Sequence, residues 1–133
     1  MNKVKYIVIL LPLVLTGCFG LSGSGNLKNT CIKKEETNYS KEIDTYTLEY
    51  YQGDINKITL VKEYSGIDMK SALETYQKAY ATEKGVNVQV SGNTITYIFD
   101  ISKVSDEVKT TFNLKDTYSE QSKTLQSLGF TCD

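Results

Sequence analysis

From residue 45 to residue 101 the spacing of apolar positions switches from two to helical and back, and those switches lay out the fold. Tyr46, Leu48 and Tyr50 alternate with Thr45, Thr47 and Glu49, the period of a strand with one buried face. Gly53-Asp54 follows, and Gly at the first position of a two-residue turn suits type II′. From Ile55 to Tyr64, Ile58 and Leu60 share one face while Lys57, Thr59 and Glu63 share the other. The spacing predicts a long antiparallel hairpin. Ser65-Gly66 then interrupts it, and Asp68 is suited to cap a helix. Met69, Ala72, Leu73, Tyr76 and Tyr80 recur at helical spacing, with Gly85 beyond them as a stop. Val86, Val88 and Val90 alternate again, Ser91-Gly92-Asn93 turns the chain, and Ile95, Tyr97, Phe99 and Ile101 return on one face. That is a second hairpin.

The flanks are less regular. Cys31 to Tyr39 reads as polar and extended. Ser105-Asp106-Glu107 resembles a helix start, its acids placed where the helix dipole favours them, and Val104, Val108 and Phe112 could line that helix. A last helix is expected from about Asp116 to Leu128, with Tyr118, Leu125 and Leu128 inward and Gly129-Phe130 as a Schellman stop. Strands, helix, strands, helices in that order argue an α+β fold, an antiparallel sheet of two hairpins packed against helices.

The first residues carry a different pattern. Lys3 and Lys5 precede a nine-residue apolar run from Ile7 to Leu15, and Thr16-Gly17 leads to Cys18. Basic start, short apolar core and Leu15-Thr16-Gly17-Cys18 make a lipoprotein signal with its lipobox. The run is shorter than the ~20 residues a membrane helix needs, and Pro12 interrupts it. Residues 1–17 are then a cleaved leader, and Cys18 is the lipid attachment site, carrying palmitate-type acyl chains that hold the protein on the extracytoplasmic face of a bacterial membrane. Gly20, Ser22-Gly23-Ser24-Gly25 and Asn26 make residues 18–30 a flexible tether, leaving 31–133 as a single domain. The alternative is an ordinary cleaved signal with an incidental cysteine.

Composition narrows the chemistry. The chain has no His and no Arg, which removes the commonest general base and metal ligand and bidentate recognition of phosphate. Without the leader's two lysines the net charge moves from −1 to −3, so nothing draws the protein to nucleic acid. No metal or cofactor is expected. With Cys18 lipidated, Cys31 and Cys132 remain, and outside the cytoplasm such a pair is most simply a disulfide; two buried free thiols are the alternative.

Catalysis has little to stand on. Glu35-Glu36 point to opposite faces of an extended chain, Asp106-Glu107 serve a helix start, and the sequence holds no Ser-x-x-Lys beyond the leader and no calcium loop. A carboxylate-only hydrolase is the one enzymatic reading left, since a glycosidase needs only two acids. Tyrosine is abundant: Tyr46, Tyr50, Tyr76, Tyr80, Tyr97 and Tyr118 fall on inward faces. Tyr51, joined by Tyr39 and Tyr64, is the candidate ligand-binding set, because exposed aromatics stack on sugars or anchor peptides; a cross-strand pair on an open sheet face is the other use such tyrosines have, and the commoner one.

The lipobox, the hairpin Tyr46-Thr47-Leu48-Glu49-Tyr50-Tyr51-Gln52-Gly53-Asp54-Ile55-Asn56-Lys57, the segment from Gly85-Val86 to Thr94-Ile95-Thr96-Tyr97-Ile98-Phe99-Asp100, and Leu125, Leu128 and Gly129-Phe130 together resemble the YehR-type bacterial lipoproteins. The resemblance implies an α+β domain on a lipid anchor and carries over no activity, ligand or catalytic residue. The expectation is a monomeric, non-enzymatic binding or scaffolding lipoprotein of the cell envelope, its partner an unknown envelope protein or small ligand. The alternative is a small-ligand or peptide carrier, which would show as an apolar pocket of about 300 Å³ or more between sheet and helix.

Overall fold

The structure, a computed structural model, describes residues 26–133. The leader, Cys18 and most of the expected tether lie outside the described residues. Six strands form one antiparallel sheet: β1 (Leu27–Glu36), β2 (Lys41–Tyr51), β3 (Asp54–Ser65), β4 (Val86–Ser91), β5 (Thr94–Asp100) and β6 (Thr131–Cys132). Among the described residues three helices accompany them, α1 (Lys70–Tyr80), α2 (Asp106–Phe112) and α3 (Tyr118–Ser127). The strand order is β4-β5-β3-β2-β1-β6. The α+β architecture is therefore as the spacing predicts. None of the described helices is long and apolar enough to cross a membrane.

β1 is longer than the sequence suggests. It begins at Leu27, inside the stretch read as tether, and pairs residue for residue with β2 from Leu27↔Tyr50 to Glu36↔Lys41. Its only buried side chain is Cys31, so the alternation that betrays a strand is hidden under charge. β6 pairs with it at Cys31↔Cys132 and Ile32↔Thr131, and a disulfide joins Cys31 to Cys132 across 101 residues.

The first turn differs from expectation. Its central residues are Gln52 and Gly53, both with positive φ (52° and 86°), the type I′ arrangement rather than a type II′ turn at Gly53-Asp54. Asp54 is already strand. In the β4–β5 turn only Gly92 has positive φ. Asn93 beside it holds the start of α1: its Oδ1 accepts from the Met69 N–H at 2.9 Å and its Nδ2 donates to the Ile67 carbonyl at 2.9 Å. Asp68 helps by accepting from the Lys70 N–H.

All three helices lie on one face of the sheet, over a core of Tyr46, Leu48, Ile58, Leu60, Leu73, Ile95, Tyr97, Phe99 and Leu125. The apolar alternations of both hairpins point there. Two expected core residues do not: Tyr76 and Leu128 are exposed. Leu128 sits at the C-cap of α3, and Phe130 is buried instead, its N–H bonded to the Leu125 carbonyl as that of Gly129 is to Gln126. That pair of bonds is the expected Schellman stop. Ser105 and Thr117 cap α2 and α3 by accepting from the Val108 and Glu120 N–H groups. Between those helices Gln121 is completely buried; its Nε2 donates to the Asn113 carbonyl and its Oε1 accepts from the Lys115 N–H.

Candidate functional site

The inward face of the β2–β3 hairpin is apolar near its turn and charged toward its open end. Along β3 the inward positions run Ile58, Leu60, Lys62, Tyr64, and across from the last two stand Asp44 and Glu42 of β2. Lys62 Nζ donates to Glu42 Oε2 at 3.0 Å and to Asp44 Oδ2 at 3.1 Å. On the far side of β2, Lys33 pairs with Asp44 in register, contacts Glu35 at 3.2 Å and lies over the Phe130 ring. Two lysines thus interleave with three carboxylates at the margin of the core.

Burial divides these groups. Burial, reinforced by the hydrogen bond with Glu42, pushes the Asp44 carboxyl up to about 6 against the pull of Lys62. Burial also works on Glu42, but its bonds to Asp44 and Lys62 outweigh it and hold Glu42 below the usual range. Burial alone would lower the lysine; the two carboxylates reverse this and raise Lys62. Asp44 Oδ1 is buried with no hydrogen-bond partner among the described residues. Two adjacent carboxylates beside one lysine titrate as a coupled pair, and burial makes Asp44 the member that takes up a proton first.

Next to this cluster, α1 and α2 stand apart over β3 and β5 and leave a cavity of about 220 Å³. Lys62, Tyr64, Tyr76, Tyr80, Tyr97 and Phe112 are among the residues lining it. The rings pack edge to face: Tyr80 meets Phe112 at 5.2 Å and Tyr97 at 6.1 Å. Their hydroxyls are a resource. Tyr46 donates to the Phe112 carbonyl and Tyr50 to Asn29 Oδ1, whereas those of Tyr64, Tyr76, Tyr80 and Tyr97 have no protein partner among the described residues. Burial raises Tyr97 to about 12, so it is a neutral donor. The arrangement can grip a small neutral group with ring faces and hydroxyl donors. It holds no nucleophile paired with a base, and among the described residues there is no group of three or more metal-ligating side chains.

The structure does not bring the three candidate tyrosines together. Tyr39 is 81% exposed in the β1–β2 turn and Tyr51 lies at the opposite end of the long hairpin. Of the three only Tyr64 lines the cavity, where Tyr76, Tyr80 and Tyr97 join it. Lys62, Asp44 and Glu42 went unread in the sequence, yet a signal existed: charges at the inward parity of two apolar strands.

No protein-family model matches the chain. No curated protein matches it either. Among solved structures, the NMR structure of a protein from Streptococcus pneumoniae TIGR4 aligns with a TM-score of 0.49 and 12% identity, over 86% of this chain and 89% of that one.

Proposed function

We propose that this chain is a non-enzymatic binding lipoprotein of a bacterial envelope, held on the extracytoplasmic face by lipid on Cys18. Its resemblance to YehR-type lipoproteins and its lipobox support the anchor, and the Cys31–Cys132 disulfide fits an oxidising compartment.

One observation carries the binding role. The space between sheet and helices, about 220 Å³, is smaller than the roughly 300–1,000 Å³ of pockets that enclose drug-sized ligands, so it suits one ring of a larger partner better than free cargo. Tyrosine faces and unpartnered hydroxyls favour a neutral, acceptor-rich ring, and Lys62, already neutralised by two carboxylates, adds no net attraction for an anion. A sugar ring of the envelope fits that description.

The test has two arms. Labelled palmitate enters the full chain and not Cys18→Ser. The chain lacks Trp and has ten tyrosines, four of which line the cavity, so its emission is read as a difference: titration with N-acetylglucosamine changes it, and Tyr64→Ala abolishes the change. A wild-type signal that stays flat through the titration rejects the sugar-ring reading, while an unlabelled chain rejects the anchor.

A further inference from the structure

Among the described residues no helix covers the other face of the sheet. Across its centre the register sets Thr47 beside Thr59 and Thr45 beside Val61, with Ile98 and Thr96 next to them on β5. Below these β-branched rows runs a charged one, Lys28↔Glu49↔Lys57↔Asp100, from β1 through β2 and β3 to β5. Its signs alternate strand by strand.

We propose that this face is the interface of a twofold dimer, its occupant a second copy of the chain. Place a twofold axis parallel to the strands, between β2 and β3 and midway between two facing sheets. β2 then lies over β3 of the second copy, and β1 over its β5. In the charged row Glu49 meets the second copy's Lys57, and Lys28 meets its Asp100. Each contact is repeated by symmetry, as an isologous interface requires. The charges are self-complementary in this arrangement. An open cleft of about 610 Å³ at this row, whose walls include Glu49, Lys57, Asp100 and Lys103, gives the long Lys28 side chain a recess. The central rows present threonine methyls, Val61 and Ile98 to one another, suited to sheets packing face to face about 10 Å apart.

Area and direction both fit. Five strands spaced about 4.8 Å, over four side-chain rows, cover roughly 650 Å² per copy, so the two copies together bury about 1,300 Å², above the total of about 1,000 Å² expected of a specific interface. Rotation about an axis parallel to the strands keeps their direction, so Asn26 of each copy leaves the dimer at the same end. Two tethers can then reach one membrane, a point that rests on the anchor reading; the charge complementarity does not. The two tyrosine-lined cavities face away from the interface.

Co-expression of full-length Thr45→Cys and Val61→Cys copies tests the contact in whole cells. A short bismaleimide cross-linker, which spans the gap between facing sheets, joins the mixed pair and does not join Thr45→Cys paired with a Glu74→Cys copy, altered on exposed α1. Full chain purified in detergent sediments as two copies, and Thr45→Lys, which sets a charge at the dry centre without touching the core, sediments as one while keeping the wild-type circular dichroism of the folded chain. Equal linking of the mixed and Glu74→Cys pairs, or a single-copy mass for the wild type, overturns the proposal. Cross-linking is read in soluble and membrane fractions alike, so loss of the anchor, reported by palmitate labelling, is distinguishable from loss of the dimer.

Discussion

The Tyr46 hydroxyl donates to the Phe112 carbonyl at 3.0 Å, joining the middle of β2 to the last turn of α2 across 66 residues. The same ring meets Phe130 edge to face at 5.2 Å. Tyr46→Phe keeps the ring contact and removes only the bond, so it isolates what fastens α2 to the sheet. A loss of about 1 kcal/mol is expected, read as a fall in thermal midpoint of about 4–8 °C for a domain of this size.

Removing the disulfide has a larger effect. In the chain-entropy account a loop of about 100 residues is worth about 4.7 kcal/mol, an upper figure. Replacing both Cys31 and Cys132 by Ser lowers the unfolding free energy by a few kcal/mol, measured by denaturant titration. The oxidised wild type migrates faster than the reduced one on a denaturing gel; equal mobility would count against the bond.

Asp44 gives stability a pH dependence with a definite sign. Its carboxyl is raised from 3.8 to about 6 in the folded chain, so folding favours its protonated form. Its contribution is fully present below 3.8 and is lost as pH rises through about 6. Glu42, lowered from 4.5, works the other way: its contribution is present above 4.5 and is lost as pH falls through its folded value. Asp44→Asn removes the decline between 3.8 and about 6, leaving a flatter profile in denaturant titrations across that window.

Lys62→Met leaves both carboxylates unpaired at the core margin. Breaking a buried pair by removing one partner costs about 3–5 kcal/mol; partial exposure here, 27% for the lysine side chain, brings the expectation to about 2–3 kcal/mol at neutral pH. Adding Asp44→Asn recovers part of it, and a double-mutant cycle measures the coupling.

Gly85 and Gly53 separate two reasons for glycine. Both have positive φ, but a Cβ at Gly85 would stand 2.9 Å from the Lys103 Cβ and the Val104 nitrogen, while Gly53 opens on free space. Gly53→Ala costs about 1 kcal/mol for backbone conformation alone. Gly85→Ala costs about 2–4 kcal/mol, since the β5–α2 connection must also shift. Equal losses in the two variants would show that crowding at Gly85 is relieved cheaply.

The two central hairpins were legible because Leu48, Ile58, Leu60, Ile95 and Phe99 bury one face of each strand and leave the period of two visible. β1 was not, because Lys33, Lys34, Glu35 and Glu36 overlay a strand whose pairing comes from backbone bonds and a single buried cysteine. Local pattern also misplaces residues at the margins of a contact. Tyr76 lies one turn from Leu73, yet α1 touches the sheet along a narrow stripe and Tyr76 overhangs the cavity. The tyrosine site was half legible: inward faces were assigned, but which of them leave a gap depends on where α1 and α2 come to rest, a matter of packing between distant segments. Lys62 could have been read, as a cation at an inward position between Leu60 and Tyr64.

Cys31 and Cys132 stand 101 residues apart, and β6 reaches β1 through two paired residues. Cys31 on the first strand thus has its partner only once the 101 residues to Cys132 have been folded back beside it. The bond therefore closes the described domain on itself, holding its first strand and its last one together, so that neither edge element can peel away without carrying the other with it.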